Sequence, residues 1–296
     1  MVHTGRFAPS PTGELHLGHA FSAMLAHDRA RAAGGRFLLR MEDLDRTRVR
    51  PEFVEGILRD LAWLGIRWDG PVLFQSARLA AHRAALERLG AMGLTYPCGC
   101  SRRDIAEAAA APHEGTPPMG PDGIVYPGTC RRRPPARGTP VAIRLDMRRA
   151  VAALGGAGAV GRLSFIETGA GPAGETGEIR LSAGYLVEGV GDVVLARRDG
   201  ATAYHLAVVL DDAFQGVTHV TRGEDLFVAS HIHRLLQALL ELPVPVYHHH
   251  RLVRDEAGRR LAKRDHARAL ERLRAEGWTP AAIRHRLGLA DGAGAG

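Results

Sequence analysis

Arg6-Phe7-Ala8-Pro9-Ser10-Pro11-Thr12-Gly13-Glu14-Leu15-His16-Leu17-Gly18-His19 decides the fold of this chain. The apolar entry Phe7-Ala8 runs into a turn built from Pro9, Pro11 and Gly13, and Phe21, Met24 and Leu25 follow at the i, i+3, i+4 spacing of a buried helix face. A strand, a tight loop and a helix are therefore predicted. The N-terminus of such a helix offers N–H groups and a partial positive charge that suit a phosphate chain, and Gly18 lets a ligand approach the backbone closely. His16 and His19 are three apart on the first turn, so both can face the same anion.

A chain of 296 residues can bury a sizeable core, as one large domain with an insertion or as two domains. Hydrophobic residues at 45% and charged residues at 24% argue against wholesale disorder. No run approaches the roughly 18 apolar residues that span a bilayer. Met1-Val2-His3-Thr4-Gly5 contains no apolar signal segment, so a cytoplasmic protein without a membrane partner is expected. Lys and Arg number 39 against 32 Asp and Glu, a formal charge of +7. That balance draws polyanions such as RNA, although an Ala/Arg/Gly-rich composition is equally what a GC-rich genome produces. Three cysteines without an export signal argue against a disulfide framework. Their spacing suggests metal.

The first helix is expected to reach about Ala33 and stop at Gly34-Gly35. Arg36-Phe37-Leu38-Leu39-Arg40-Met41 reads as a short buried strand delivering Glu42-Asp43-Leu44-Asp45 to its carboxyl end, where open α/β sheets bind ligands. By themselves these carboxylates read more simply as a solvated turn. Helices are expected over 51–64, with Phe53, Ile57, Leu61 and Leu64 inward, and over 77–92, as packing elements. Cys98-Gly99-Cys100 and a distant Cys130 supply three soft ligands of the kind that hold tetrahedral zinc. His113, Glu114 and Tyr126 are the candidates for a fourth ligand, and chemistry alone favours His113, because imidazole is the commoner partner of thiolates. The run Arg131-Arg132-Arg133 and Arg137 could touch RNA phosphates, but a basic run is more often just a solvated face.

Further on, 191–197 reads as a strand resuming the sheet, and 204–212 as a buried helix or strand with polar ends. Residues 216–225 read as a strand running into a helix that Asp225 could cap, and 226–240 as a helix apolar along Ile232, Leu235, Leu236 and Leu239. Tyr247-His248-His249-His250 reads as a strand. Alternation there sends neighbouring histidines to opposite faces, which makes the run a weak metal signal.

Taken together, these segments resemble the class I aminoacyl-tRNA synthetases. His16-Leu17-Gly18-His19 is similar to their HIGH signature, and Phe7-Ala8-Pro9-Ser10-Pro11-Thr12-Gly13 to the glutamyl/glutaminyl branch. The resemblance implies an α/β fold with a Rossmann-like doubly wound parallel sheet, ATP held by His16, Gly18 and His19, and glutamate held by Arg6, Phe7, Ala8, Pro9 and Ser10. Leu39-Arg40-Met41-Glu42-Asp43-Leu44-Asp45 resembles the segment whose glutamate receives the substrate's amino group, which is Glu42 here. Leu64-Gly65 and Trp68-Asp69 follow the branch's structural LGxxWD pattern. The block from Tyr204 to Asp225 resembles the branch's pocket motif, which implies that Tyr204 and Arg222 line the amino-acid pocket. Arginine suits that task because its planar fork can bond both oxygens of a carboxylate.

Gly258-Arg259-Arg260-Leu261-Ala262-Lys263-Arg264-Asp265 resembles the second class I signature, KMSKS, and implies that Lys263 neutralises phosphate charge. Arg260, Leu261, Ala262 and Arg264 depart from that pattern, and Ala262 loses a hydroxyl that could steady the loop. Cys-x-Cys followed by Tyr-x-x-x-Cys resembles the glutamyl-queuosine tRNA(Asp) synthetases, truncated paralogues of glutamyl-tRNA synthetase. It implies one structural zinc on Cys98, Cys100, Tyr126 and Cys130. The implied organisation is a first catalytic half over 1–93, a zinc-binding acceptor-type insertion over 94–184, a second catalytic half over 185–250, and a KMSKS-like loop with short C-terminal helices over 251–296. No anticodon-binding domain is expected, and the chain is expected to be a monomer. The implied activity uses ATP with Mg2+ to activate L-glutamate without tRNA, then passes glutamate to the queuosine base at the wobble position of tRNA(Asp). Its rivals are a shortened glutamyl-tRNA synthetase charging a tRNA 3′ end, a pantothenate-synthetase-like ligase, and a non-catalytic zinc-stapled RNA-binding protein.

Overall fold

The structure is a computed structural model that describes residues 2–110, 118–254 and 269–290. The chain opens with β1 (Thr4–Phe7), α1 (Leu17–Ala32) and β2 (Arg36–Met41). β2 lies parallel to β1, and its Phe37–Met41 stretch is buried on both faces, as parallel strands covered by helices are. α1 ends where Gly34 takes a positive φ of 61°, a conformation that glycine adopts without a Cβ penalty. α2 (Pro51–Trp63) starts on its proline and lays Ile57 and Leu61 into the core beneath α1. β3 (Leu73–Phe74) adds a third parallel strand beside β2, and a 3-10 turn over Gln75–Arg78 leads into α3 (Leu79–Ala91).

The chain then leaves the sheet for β4 (Thr95–Cys98), α4 (Arg102–Ala110), the hairpin β5 (Met119–Gly120) and β6 (Gly123–Ile124), α5 (Thr129–Arg132), β7 (Ala142–Leu145), α6 (Met147–Ala153) and α7 (Gly156–Val160). β8 (Ser164–Glu167) and β9 (Gly177–Arg180) form an antiparallel pair, a π-turn spans Tyr185–Val190, and β10 (Val194–Ala196) precedes α8 (Tyr204–Phe214). β11 (His219–Gly223), α9 (Phe227–Leu240), β12 (Val246–His250), α10 (Leu270–Ala275) and α11 (Pro280–Leu287) complete the described elements. The second parallel set runs β11, β12, β8, with β9 antiparallel at its edge.

Thr218 joins the two parallel sets. Its backbone N–H donates to the Thr4 carbonyl at 2.9 Å, and its hydroxyl accepts the Thr4 N–H at 2.8 Å. β11 therefore lies beside β1, and strand order reverses between them, which is where doubly wound sheets hold their ligands.

Strand partners depart from the sequence expectation in two places. β10 was expected to resume the parallel sheet, but it pairs antiparallel with β7 in a sheet ordered β10-β7-β4. β8, inside the expected insertion, pairs parallel with β12 instead. A short apolar strand carries no mark of its partner, which is chosen by what its neighbours leave uncovered. Residues 204–212 resolve as helix, buried nearly all round. Asp225 does not cap α9. A 3-10 turn over Glu224–Leu226 absorbs it, and the helix starts from Leu226 without a side-chain cap.

One apolar core lies behind the second parallel set, around Leu206, Ile232, Leu235 and Leu236. A second joins α1 and α2 to Leu270, Leu273, Ile283 and Leu287 of the C-terminal helices. Among the described residues, no helix is long and apolar enough to cross a membrane.

Candidate active site

A cavity of about 440 Å3 opens at the junction of β1 and β11. Arg6, Phe7, Ala8, Pro9 and Ser10 line it where β1 gives way to the loop, with His16, Gly18 and His19 from the start of α1. Glu42, Tyr204 and Arg222 line the same cavity. Lys263, with Arg260, Leu261, Ala262 and Arg264, lies outside the described residues, as does His113.

His16 is the N-cap of α1. Its Nδ1 accepts the Gly18 N–H at 3.1 Å, and His19 Nδ1 accepts the His16 N–H at 3.2 Å, a reciprocal cap that holds the two rings 3.8 Å apart. The first helical amides are thus partly satisfied by the histidines, so the anion-facing groups are not the bare amides the sequence suggested. With both Nδ1 lone pairs committed, each neutral ring carries its proton on Nε2 and acts there as a donor. A Cβ on Gly18 would come within 3.0 Å of the His16 ring, so the glycine is what admits this cap.

Arg222 is 5% exposed on β11, and each hydrogen-bond partner of its guanidinium among the described residues is neutral. Nε donates to His249 Nε2 at 3.1 Å, Nη1 to Tyr204 Oη at 3.1 Å and His233 Nδ1 at 3.3 Å, and Nη2 to Ser230 Oγ at 2.6 Å. Burial, with Arg222 itself adding to it, holds His233 far below the usual histidine range, and burial likewise lowers His249 despite the Glu167 carboxylate beside it. The guanidinium therefore stands in the cavity wall without a carboxylate in contact among the described residues. Four of its five N–H donors are engaged, and one Nη2 hydrogen is left for an anion. The fork geometry expected from sequence requires Tyr204 or His233 to give way.

Glu42 enters the cavity because its N–H donates to the Pro9 carbonyl at 3.0 Å. Burial raises its pKa above the usual carboxylate range, against the pull of Arg40 and Arg6, and its carboxylate stands 3.7 Å from Arg40 Nη2. Beneath it, Asp212 Oδ1 accepts from Arg6 Nε at 3.1 Å and from Arg40 Nη1 at 2.7 Å. Its neighbour Asp211 accepts from Arg78 Nε at 2.8 Å, His82 Nε2 at 3.0 Å and Gln75 Nε2 at 3.0 Å. α8 thus holds β1, β2 and the start of α3 through two adjacent carboxylates, and α3 does more than pack.

Sequence reading gave no role to Arg40, Asp212, Ser230, His233, His249 or Glu167. The signal was present in part: a charged residue inside an apolar run, as Arg40 is in Phe37-Leu38-Leu39-Arg40-Met41, requires a buried partner. The histidines of β12 separate as alternation demands, His248 to Thr168, His249 to Glu167 and Arg222, and His250 to Ser22.

A second cluster lies where β4, α5 and the loop before α5 meet. The sulfurs of Cys98, Cys100 and Cys130 all lie within 4.8 Å of one another, with Cys100 and Cys130 3.4 Å apart. Tetrahedral zinc with Zn–S near 2.3 Å places sulfurs about 3.8 Å apart. Tyr126 Oη stands 3.4 Å from the sulfurs of Cys98 and Cys100 and accepts the Cys130 N–H at 2.8 Å. Three thiols and a phenol converging on one point fit a zinc ion. Without a metal the cluster divides: against burial, hydrogen bonds from Tyr126 and the Gly99 backbone lower the Cys130 thiol, whereas burial raises Cys100 and Tyr126.

Residues 1–119 and 176–292 match the family described as tRNA synthetases class I (E and Q), catalytic domain. A glutamyl-Q tRNA(Asp) synthetase of Rhodobacter capsulatus is 62% identical over 288 residues, covering 96% of this chain and 99% of that protein. Another, of Nocardia farcinica, is 45% identical over 93% of this chain and 80% of its own length. Among solved structures, the glutamate-tRNA synthetase of Elizabethkingia anophelis superimposes with a TM-score of 0.69 at 26% identity, over 90% of this chain. The chain spans about half the length of that synthetase, 53%.

Proposed function

The chain belongs to the glutamyl-Q tRNA(Asp) synthetases, within the class I glutamyl and glutaminyl tRNA synthetases, and from that premise we propose what it does. It activates L-glutamate with ATP to glutamyl-adenylate without tRNA, then transfers glutamate to the queuosine base at the wobble position of tRNA(Asp). The observation that carries this reading is Arg222, a buried cation in a cavity wall with no anion in contact among the described residues. Burying a charge without a counter-ion is costly, and a substrate carboxylate removes the cost.

The α-carboxylate of glutamate must stay free to react, so Arg222 holds the side-chain carboxylate and Glu42 the ammonium. The α-carboxylate oxygen attacks the α-phosphorus of ATP; an O–P bond forms, the bond to the bridging oxygen breaks, and pyrophosphate leaves with the electron pair. His16 and His19 donate through Nε2 to the phosphates, and Lys263 adds its charge, so the developing negative charge meets donors already in place. No proton changes hands in this step. Mg2+ accompanies ATP as part of the substrate. Holding both reactants in line supplies much of the rate.

The test is glutamate-dependent ATP–pyrophosphate exchange without tRNA, with glutamine and aspartate as controls, then transfer to queuosine-containing and queuosine-free tRNA(Asp). Exchange with glutamate alone and transfer only to the modified tRNA are expected. Absence of exchange under every condition would overturn the reading, and exchange that demands tRNA(Glu) would make the chain a shortened ordinary synthetase.

The reading fixes the acid limb of the exchange. Glu42 binds an ammonium only when ionised, and its pKa lies above the ordinary carboxylate range, so kcat/KM for glutamate begins to fall on acidification at a higher pH than an unperturbed glutamate would set. Glu42→Gln is expected to lower kcat/KM about a hundredfold and to remove that limb from the pH profile. A limb that persists in the variant assigns it to another group.

Zinc on Cys98, Cys100, Tyr126 and Cys130 would supply a cross-link between β4 and α5, whose own apolar cluster is small, whereas the later part of 94–184 packs into the main core. Metal analysis of the purified chain is expected to find one equivalent of zinc. Cys130→Ser should release it and open the chain near β4 and α5 to protease, whereas Tyr126→Phe should retain zinc with weakened affinity.

A further inference from the structure

Two carboxylates remote from the cavity each reach Arg222 through histidines, and bond polarity is consistent along both routes. Glu167 of β8, 1% exposed, accepts from His249 Nδ1, which leaves the Nε2 lone pair to accept from Arg222 Nε. Asp122 of the β5–β6 hairpin accepts from His205 Nε2 at 3.1 Å. His205 Nδ1 is then an acceptor for His233 Nε2 at 3.2 Å, and His233 Nδ1 in turn accepts from Arg222 Nη1 at 3.3 Å. A neutral imidazole has one donor and one acceptor, so fixing the first bond fixes every later one.

We propose that Asp122 and Glu167 are positioning residues for Arg222, setting the tautomers of His205, His233 and His249 so that ring lone pairs, never N–H groups, face the guanidinium. Were His233 or His249 flipped to its other tautomer, an N–H would oppose an Arg222 N–H at hydrogen-bond distance, and a flipped His205 would set its N–H against that of His233 and drive His233 over in turn. Each such flip takes the acceptor from one guanidinium donor, and the guanidinium would turn or withdraw from the cavity. The carboxylates cannot be brought closer without neutralising the charge that the substrate is to meet. Placing each behind an imidazole orients the cation and leaves it unpaired on its cavity side. Asp122 carries a second consequence: it sits four residues before Tyr126, in the hairpin next to the thiol cluster. The zinc segment thereby touches glutamate recognition without contacting glutamate.

This inference rests on the glutamate-activation reading, and its test separates the two. Asp122 is exposed, with 57% of its side chain open to solvent, so its replacement leaves the fold intact. In wild-type protein, Asp122→Ala, Asp122→Glu and Glu167→Gln, KM for glutamate and for ATP are measured by pyrophosphate exchange, and 15N spectra of the imidazoles report the tautomers. Asp122→Ala is expected to raise KM for glutamate about tenfold with KM for ATP unchanged and zinc retained. Asp122→Glu restores it, and the His205 and His233 signals shift toward a tautomer mixture in the alanine variant alone. Glu167→Gln raises KM for glutamate in the same way. A wild-type chain that exchanges normally beside variants with unchanged KM and unchanged imidazole spectra overturns the relay and leaves the activity standing. A wild-type chain without exchange, with Asp122→Ala leaving the tautomers in place, overturns both.

Discussion

Replacing Arg222 by glutamine is expected to lower kcat/KM for glutamate in pyrophosphate exchange about a thousandfold, while leaving the thermal transition unchanged or higher. Truncating one member of a desolvated charge pair costs about 2–5 kcal/mol, and the upper half of that range corresponds to the loss stated. The opposite sign on stability follows from the free protein. Arg222 is buried among neutral partners, so its charge destabilises the fold until an anion arrives, and a neutral side chain of similar reach relieves that. Exchange kinetics and a melting curve on the same preparation decide the point. Activity within threefold of wild type would remove Arg222 from substrate recognition, and a large fall in Tm would show its role to be structural.

Asp212→Asn is expected to have the largest effect on stability. One carboxylate oxygen holds Arg6 and the fully buried Arg40, which belong to two adjacent strands. Removing its charge leaves two buried cations sharing only Glu42 and neutral groups, and breaking buried pairs in this way costs about 3–5 kcal/mol. At roughly 2–4 °C per kcal/mol, Tm should fall by about 6 °C or more. The pH dependence has a definite sign. Burial raises Asp212, but Arg6 and Arg40 outweigh it and hold its folded pKa below the ordinary aspartate value. The stability it contributes is therefore fully present above the unfolded pKa and is lost as pH falls through the depressed folded value. Wild-type protein should lose stability on acidification through that window. The asparagine variant should lack this component, so the two melting temperatures converge at low pH. A Tm within 2 °C of wild type at neutral pH would show that Glu42 and the Gln215 side-chain oxygen, which accepts from Arg40 Nη1 at 3.0 Å, suffice to hold Arg40.

How much of this site was legible beforehand depends on the range of the interaction involved. Pro9, Pro11 and Gly13 end a strand and Gly18 opens a helix by local backbone rules, so the loop that carries His16 and His19 could be read directly. Glu42 was legible as a residue at the carboxyl end of a buried strand, but by itself it read as part of a solvated turn, and only the resemblance gave it a role. Tyr204 and Arg222 drew attention only through their resemblance to a pocket motif, and nothing local distinguishes Arg222 from a surface arginine. The two misassigned strands show the same limit. β8 and β10 are both short, with only two or three apolar residues apiece, and the residues themselves do not say that one joins the parallel sheet and the other the antiparallel one.

The strand-loop-helix that builds the cavity and the glycine stop of α1 follow from the residues alone. They depend on backbone preferences and periodicity within a few residues, which fold the same way wherever the segment lies. Which charges share a partner is a matter of tertiary packing. Arg6 meets Asp212 across 206 positions of chain and Arg40 meets it across 172, and His249 meets Glu167 across 82. Those meetings exist because β11 pairs beside β1 and β8 beside β12. A buried polar group is satisfied by whatever the sheet order places opposite it, and sheet order is settled by the packing of the whole chain.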